Sequence, residues 1–547
     1  MIRATQPGRA LAAAVGGCFI LTAALGLASE GVYQDDDLTH FLFARWAWWF
    51  PSYLLHVWGR PGLTVPLATI SGIGDVHSAW HNARLLSAVV TAMSALVAAR
   101  LAERLGVKRP WMIVLFCYAQ PLATILAITT LTENFAGLYL IGAIALLKSK
   151  RLVAGSVLFS LLLVTRHEAA ALWPIWIIAL IATEGSPVRK IGAVVMSLSA
   201  PVIHNILFFA VFGAWPFSIF GHATGSTEYP AAGPLAYVPD ALHAMTPAIL
   251  AFSIIGGVAL WRRGERLIPS MAGAFLLTHV VIRAVGVFAS GGYGRFMVTI
   301  APLVAILAAA AWHEIETMGR ERRTARWPWM VFAGVWLIGL FAVEQQMRAG
   351  RFVLEDRVVW SMRVSVAALV VLSLWLAPRA RTIWARRAGL GVFGLTALAQ
   401  WILMVTPLPT RADQRFTREV AMWVGQRGMS GGPFFATNPW FSLHLDLIEN
   451  PRAHKGPTLL ASMPLGTVVM WDSKYSDSDF HGIRLDLLRD SPQYELMSVF
   501  GSESTRRLDV WVFRKTSETP PPERADAPYP PNPSASSALR GIYYLRP

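Results

Sequence analysis

Long apolar runs separated by short basic loops are the feature that most constrains how this chain of 547 residues can fold. Hydrophobic residues make up 54% of the sequence and charged residues only 15%, and the mean hydropathy is +0.46. This composition excludes an ordinary soluble globular protein. The runs are about 17–22 residues long, the length at which a helix crosses a hydrocarbon core of about 30 Å. The sequence therefore predicts an all-α polytopic membrane protein.

The positions of the basic residues decide how the runs divide into membrane-spanning helices. Residues 111–147 and 152–182 are too long for one crossing each, and polar residues interrupt them at 129–134 and 166–168. Treating each as a hairpin puts the basic residues 148–151 on the side of the other basic loops, as expected for cytoplasmic loops. The total is then about thirteen helices, with single spans at about 10–28, 83–101, 191–212, 245–260, 268–289, 296–312, 327–343, 358–377 and 388–406.

The same charge bias predicts the orientation in the cytoplasmic (inner) membrane. The amino terminus is expected in the cytoplasm, and everything after Pro407 in the periplasm or its equivalent. A cleaved signal peptide is the alternative interpretation of the first apolar run, and it too leaves the next loop outside. The net charge of +15 comes largely from the cytoplasmic loops. It therefore indicates orientation and contact with membrane lipids rather than nucleic-acid binding.

The composition changes after the last apolar run. Residues 1–409 form the predicted transmembrane catalytic domain, and residues 410–515 are predicted to form a small soluble α/β domain outside the membrane. That prediction rests on apolar residues at helical spacing within 416–424 and on β-like runs at 433–436, 467–471, 496–500 and 508–513. The Pro/Ser-rich residues 516–547 are expected to be disordered.

The loop after the first span, residues 30–62, carries three consecutive carboxylates, Asp35, Asp36 and Asp37. Carboxylates at a hydrocarbon boundary are costly and mark a functional site more often than they decorate a surface. One of the three is a candidate base for taking a proton from an attacking hydroxyl group. Adjacent carboxylates also offer hard oxygen ligands for a divalent cation. The alternative is an acidic cap on an interfacial helix, stabilised by the helix amides.

Cationic side chains on the predicted outer side are candidates for binding a phosphate. Arg60 in an Arg-Pro-Gly sequence, Arg295 after a glycine-rich turn, and Arg166 with Glu168 fit this description. For Arg60 and Arg295 the structural alternative is snorkelling to the membrane interface. For Arg166 and Glu168 the alternative is an internal ion pair. Glu133 either caps a hairpin turn or joins the same polar pocket.

Two histidines extend the candidate site. His222, in an outer loop rich in Gly and Pro, is a candidate phosphate or metal contact. His56 is a candidate metal ligand, with an ordinary interfacial residue as the alternative. The candidate metal set is then Asp35, Asp36, His222 and His56, and a divalent metal ion is the only cofactor that the pattern suggests.

This arrangement resembles the GT-C superfamily of membrane glycosyltransferases, and within it the lipid A aminoarabinose transferases and the protein O-mannosyltransferases. The residues that carry the resemblance are DDLTHFLFA at 36–44 and the later Arg60-Pro61. The resemblance implies that Asp36 is the catalytic aspartate, Asp37 its acidic neighbour and His40 the family's aromatic position. It also implies that Arg60 is the basic residue before proline. The sequence Arg-His-Glu at 166–168 resembles the family's Arg-x-Glu turn, and 217–222 its loop histidine.

The resemblance covers roughly residues 1–310 and implies transfer of a sugar from a polyprenyl-phosphate donor to a glycolipid, polysaccharide or protein. Two departures from the family pattern are Asp37, where the family has glutamate, and Gly59, where the aminoarabinose enzymes have a metal-binding glutamate. The second departure leaves metal dependence open. Two alternatives are a lipid-linked oligosaccharide polymerase or ligase, with a later catalytic loop, and a transporter or flippase, with ionisable residues in mid-helix.

Overall fold

The protein is described by a computed structural model, which covers residues 7–216, 231–286, 293–320, 326–348, 356–379, 382–449, 455–478, 481–501 and 508–518. The chain divides into two compact units. One comprises Met1–Ala28, Arg84–His204 and Ala223–Pro407, and the other Ser29–Ala83, Asn205–His222 and Leu408–Pro547. The predicted division into domains at residues 409 and 410 stays a prediction. The predicted disordered tail lies, from residue 519 onward, outside the described residues.

Helices make up most of the described chain. The helices of the first part are α1 (Pro7–Leu27), α2 (Asp35–Trp46), α3 (Pro61–Ser71), α4 (Val76–Arg104), α5 (Trp111–Tyr118), α6 (Pro121–Leu126), α7 (Glu133–Lys148), α8 (Leu152–Thr165), α9 (Trp173–Ala182), α10 (Pro187–Met196) and α11 (Ser199–Phe212). Those of the second part are α12 (Val238–Met245), α13 (Pro247–Arg262), α14 (Leu267–Val285), α15 (Ala301–Arg320), α16 (Trp327–Arg348), α17 (Asp356–Arg379), α18 (Ile383–Met404), α19 (Ala412–Gln426), α20 (Pro439–His444), α21 (Pro457–Ser462) and α22 (Asp486–Arg489). Short 3-10 helices cover Pro51–Leu55, His167–Leu172, Gly294–Ile300 and Met429–Gly431.

Among the described residues, 6 helices are long and apolar enough to cross a membrane, or up to 8 if each of two bent helix pairs is one span. The pairs are α10 with α11, bent by 41°, and α12 with α13, bent by 95°. At the second bend Thr246 has a φ of 66° and Pro247 begins the next helix, so the backbone changes direction there. The chain is thus a multi-pass membrane protein, and the larger predicted number of about thirteen spans stays a prediction.

The two predicted interruptions are confirmed. The apolar stretch 111–147 is broken between α6 and α7, and α7 begins at Glu133. The stretch 152–182 is broken where α8 ends at Thr165 and a 3-10 helix follows from His167. Polar side chains therefore stand at helix ends rather than within the apolar helices.

The segment predicted as an acidic loop contains two helices. α2 begins with the three aspartates in its first turn, where negative charge is favourable beside the unpaired backbone N–H groups. α3 begins at Pro61, whose fixed φ suits the first helical position and whose missing N–H costs nothing there. The segment between the predicted spans thus contains short helices, and both the catalytic interpretation of the aspartates and the acidic-cap alternative stay predictions.

The sheet near the C-terminal end has four strands, as the sequence predicts. They are β1 (Phe434–Ala436), β2 (Val468–Asp472), β3 (Tyr494–Gly501) and β4 (Asp509–Lys515), in the order β1-β2-β4-β3. β1 and β2 are parallel, whereas β2–β4 and β3–β4 are antiparallel. Alternate residues of the strands face opposite sides, so the sheet packs on two layers. The α19 side holds Val420, Val424, Val468, Met470, Val510 and Val512, and the other side holds Leu460, Val469, Trp471, Leu488 and Phe513.

Two membrane helices of the first unit approach each other closely at Gly256. A Cβ atom on this residue of α13 would lie 1.7 Å from the Leu307 carbonyl oxygen of α15. Nearby Ala308 and Ala311 are fully buried in the same core, together with Phe252. Small residues at a helix crossing allow this backbone approach, which is how membrane helices pack without a hydrophobic driving force.

We expect Gly256→Ala to destabilise the protein by about 1–3 kcal/mol, because the added methyl group forces α13 and α15 apart. The matched control is Gly257→Ala in the same helix, where the nearest atom to the added Cβ is 3.9 Å away. The measurement is the thermal unfolding midpoint of the detergent-solubilised protein. Equal midpoints for the two variants would contradict the close approach.

Candidate active site

Asp35, the first residue of α2, is held by three side chains of its own unit. Its Oδ1 accepts a hydrogen bond from Arg411 Nη2 at 2.6 Å, and its Oδ2 one from Lys474 Nζ at 2.8 Å. The Tyr475 hydroxyl also donates to Oδ2. Burial would raise the pKa of the Asp35 carboxyl, but the charge and hydrogen bond of Lys474, the Tyr475 hydrogen bond and the Arg411 charge together lower it. Asp35 is therefore a charged, fully engaged carboxylate.

The three aspartates differ in their surroundings because consecutive residues of a helix point about 100° apart. Asp35 faces the cations just described, whereas Asp37 has 0% of its surface exposed. Asp36, like Asp35, is half-buried. Asp36 thus combines partial access with a position in the first turn of a helix.

Arg60 lies at the N-terminal end of α3 in a strained backbone conformation. Its φ is 62°, a left-handed value that non-glycine residues rarely adopt and that marks functional positions more often than others. The preceding Gly59 is tightly enclosed, since a Cβ atom there would lie 2.8 Å from Thr64 Oγ1. A glutamate at position 59, as in the aminoarabinose enzymes, would therefore require the turn before α3 to move.

The predicted metal ligands are Asp35, Asp36, His222 and His56, and the structure describes the surroundings of three of them. Asp35 does not fit a divalent cation, because an arginine and a lysine already bind both of its oxygens. His56 is 3% exposed, and its Nδ1 accepts a hydrogen bond from the Trp58 backbone at 3.2 Å. Burial and the nearby His40 lower the pKa of His56 to about 3. Among the described residues no group of three or more His, Cys, Asp or Glu side chains is arranged so that it could hold a metal ion.

His222, the remaining predicted histidine, lies outside the described residues. Its assignment to phosphate or metal therefore stays a prediction, as does that of Asp36 to a metal.

Arg166, Glu168 and Arg295, predicted separately, meet in one buried cluster of the first unit. Arg166 Nη1 donates to Glu133 Oε1 at 3.2 Å and Nη2 to Glu168 Oε1 at 2.8 Å. Arg295 Nε lies 3.4 Å from the same Glu133 oxygen. The side chains are 0–6% exposed. Glu133 is therefore the carboxylate that links the two arginines, a pairing across helices that sequence spacing could not reveal.

Aromatic rings complete this cluster. The guanidinium carbon of Arg166 lies 3.9 Å from the centre of the Phe296 ring, and that of Arg295 lies 5.0 Å from the Tyr293 ring. The Phe296 ring also packs against His279, at 5.2 Å between ring centres. Cation–π contacts stabilise a guanidinium that is removed from water. In the sequence, these cation–π contacts are indicated by the aromatic residues at 293 and 296, which lie on either side of Arg295.

The predicted site residues thus fall into two groups. Asp35, Asp36, Asp37 and Arg60 belong to one unit, and the arginine cluster belongs to the other. Within each unit the structure brings predicted residues together, or places them at helix ends. Convergence of the two groups on a single cavity stays a prediction.

The length and apolar composition of its helices define a multi-pass membrane protein. The chain is similar to the crystal structure of ArnT from Cupriavidus metallidurans bound to undecaprenyl phosphate, with a TM-score of 0.55 and 14% identity. That match covers 91% of this chain and 97% of the other. The apo structure of the same ArnT matches with a TM-score of 0.51 and 13% identity, over 79% of this chain and 83% of the other.

These similarities confirm, for the fold, the resemblance to the lipid A aminoarabinose transferases that residues 36–44 and Arg60-Pro61 indicate. No protein-family model matches the sequence, and no curated protein matches it. At such low identity the shared property is the fold.

We expect Arg166→Met to destabilise the protein by about 3–5 kcal/mol, because it takes a buried guanidinium from both Glu133 and Glu168. The control is Lys150→Met, which removes an ion pair with Glu184 whose side chains are 69% and 85% exposed. Thermal unfolding in detergent measures both variants. A midpoint for Arg166→Met that equals the Lys150→Met midpoint would show that the buried cluster contributes nothing.

Proposed function

We propose that this protein is a glycosyltransferase that moves a sugar from a polyprenyl-phosphate donor to an acceptor on the outer face of the cytoplasmic membrane. The observation that carries the proposal is the position of the three aspartates. They begin the first helix after α1, in a chain with the fold of a protein that was crystallised with undecaprenyl phosphate. The acceptor would be a glycolipid, polysaccharide or protein that presents a hydroxyl group.

The proposed reaction has two requirements. The acceptor oxygen attacks the anomeric carbon as the bond from that carbon to the phosphate oxygen breaks, with inversion. The hydroxyl proton passes to a carboxylate base, and the polyprenyl phosphate leaves with an additional negative charge that cations must balance. No step of this scheme is assigned to a metal ion, because Asp35 and His56 do not fit one.

Asp36 is the proposed base among the three aspartates. Asp35 is bound by Arg411 and Lys474, which hold it as a weakly basic carboxylate. Asp37 is fully buried, which leaves no room for an attacking hydroxyl group beside it. Asp36 is half-buried at the same helix start, so a substrate can reach its oxygens while the surroundings limit water.

Arginines are the proposed phosphate ligands, since a guanidinium offers several N–H donors in one plane. Arg295, whose Nε lies 3.4 Å from Glu133 Oε1, is proposed as the phosphate ligand of the buried pair. Arg166, bound to Glu133 and Glu168, would hold the cluster in place. Arg60, in its strained conformation, and His222 complete the proposed phosphate site.

The proposed topology places the amino terminus in the cytoplasm, with about thirteen helices in the membrane. Residues 410–515 then form a domain on the outer face, next to the acceptor.

We expect Asp36→Asn to reduce sugar transfer by about 10²- to 10⁴-fold, because the neutral amide cannot take up the hydroxyl proton. The donor for this assay is the tritium-labelled polyprenyl-phosphate sugar fraction extracted from a strain that lacks the gene, where unused donor accumulates. The matched control is Asp75→Asn, which changes an exposed carboxylate that caps the start of α4. Asparagine is also a good cap, so this variant should transfer normally.

A folded Asp36→Asn protein with wild-type transfer would contradict the assignment of the base. Mass spectrometry of envelope glycolipids and glycans from the same deletion strain identifies the missing sugar and its acceptor together. Shortened glycans in place of one missing sugar would instead favour a polymerase. Failure of the wild-type protein to transfer any extracted sugar would contradict the proposed function as a whole.

A further inference from the structure

The sheet of the second unit ends in a rigid turn that presents Lys474 and Tyr475. Asp472, the last residue of β2, is fully buried, and its Oδ1 accepts the backbone N–H groups of Lys474 at 3.1 Å and Tyr475 at 2.8 Å. Its Oδ2 accepts hydrogen bonds from the hydroxyls of Thr437 and Ser476. A buried carboxylate with four donors fixes the turn, so the two side chains leave it in defined directions.

This turn contacts the first residue of α2. Lys474 Nζ lies between two carboxylates, 2.8 Å from Asp35 Oδ2 and 3.3 Å from Asp413 Oδ2. Arg411 in turn lies between Asp35 at 2.6 Å and Asp413 at 3.6 Å. Two cations and two carboxylates thus alternate around one point, with the Tyr475 hydroxyl as a further donor to Asp35. Networks of this kind hold geometry better than a single surface ion pair.

The other end of α2 is held by the same C-terminal segment. Arg45, 4% exposed, donates from Nε and Nη2 to both carboxylate oxygens of Asp446 at 3.0 and 2.8 Å. Trp46 Nε1 donates to the Leu447 carbonyl at 2.8 Å. The bidentate geometry fixes the arginine in orientation as well as position. Asp446, which makes this contact, has a φ of 47°, a left-handed backbone conformation that costs free energy for a non-glycine residue.

The chain before α2 is tied to the same segment through its backbone. Gly31 N–H donates to the Leu408 carbonyl, and Leu408 N–H donates to Ser29 Oγ, both at 2.9 Å. A Cβ atom at Gly31 would lie 2.1 Å from the Pro409 carbonyl oxygen, so only glycine allows this approach. The segment that enters α2 is therefore held as closely as the helix itself.

These contacts fix how α2 is rotated about its axis. The helix has 12 residues and a length of about 18 Å, and it is held at Asp35 and again at Arg45 and Trp46. Asp36 follows Asp35 directly, so any rotation of the helix moves its carboxylate sideways. A displacement of about 1 Å at a reacting group can cost about 10²-fold in rate.

We propose that Lys474, Arg411 and Tyr475 are positioning residues, which act through Asp35 to orient the helix that carries the base Asp36. This inference rests on the proposed function. Asp35 then attaches α2 to the C-terminal segment and is not a second base. The C-terminal sheet contributes to the active site by orienting this helix. The three carboxylates have separate roles, with Asp35 for attachment and Asp36 for proton transfer.

The test is Lys474→Met in the full-length protein, assayed with the tritium-labelled donor fraction described above. We expect kcat to fall by about 10- to 100-fold while the KM for the donor stays within about twofold, because the base is displaced but the phosphate ligands are not. Lys474→Arg, which keeps a cation at the same place, should recover most of the activity.

The matched control is Arg484→Met, since Arg484 is a 63% exposed cation of the same segment that pairs with Asp486. It should leave kcat and KM unchanged. A Lys474→Met protein with wild-type kcat, or one that loses activity only through KM, would overturn the positioning role. A loss in Lys474→Arg as large as that in Lys474→Met would also overturn it, since it would indicate a general structural defect.

A second measurement does not depend on activity. Hydrogen exchange of the α2 backbone should be faster in Lys474→Met than in wild type, while exchange in α7 stays unchanged. Unchanged exchange in α2 overturns the attachment. If wild type transfers no sugar, the proposed function fails, and the catalytic part of this inference fails with it. If wild type is active but Lys474→Met is equally active, only the positioning role fails.

Discussion

The cost of removing charge from water is the constraint on which the rest of this structure depends. Glu133 and Asp472 are both 0% exposed, and the oxygens of each carboxylate are bound by several cationic groups or hydrogen-bond donors. Glu133 lies against two arginines at a break in the apolar helices, whereas Asp472 binds backbone and hydroxyl groups at a strand end. An ionised carboxylate without such partners would cost several kcal/mol in the interior. Polar residues therefore stand at helix and strand ends, and the helix breaks follow from that requirement.

The same requirement explains what the sequence could predict. Apolar length and the polar residues at 129–134 and 166–168 located the helix interruptions, since a charged group in mid-helix would lie in hydrocarbon. Short β-like runs located the four strands. Both faces of the sheet are covered, so its buried strand β2 appears as a continuous apolar run rather than an alternating one. The acidic start of α2 was also visible, and an interfacial helix beginning there was one of the two interpretations. Contacts distant in sequence, such as that of Arg45 with Asp446, hold this helix.

The pairings within the site could not be predicted, because they join positions that no local pattern relates. Asp35 binds Arg411 and Lys474, which lie 376 and 439 residues further along the chain. Glu133 was expected either to cap a hairpin turn or to join the same polar pocket, but no local pattern showed that it links Arg166 to Arg295. The left-handed backbone of Arg60 gave no signal either, since Arg is not a residue type that favours a positive φ. Local sequence thus indicates which residues are costly to bury, and only the fold determines which partners stabilise them.

The buried cluster also bears on how a phosphate would be held in the proposed reaction. Arginines that wait for an anionic donor in a medium of low dielectric constant need a counter-charge while the donor is absent. Glu133 and Glu168 supply it, and the Phe296 and Tyr293 rings support the guanidinium faces. Arg166 is engaged by Thr132 as well as by both carboxylates, so it resembles a fixed support. A cluster that is neutral at rest would then bind a singly charged phosphodiester donor weakly. It would bind the departing polyprenyl phosphate more strongly, because the negative charge on the phosphate oxygens grows as the sugar leaves. Stronger binding of the transition state than of the substrate is what catalysis requires.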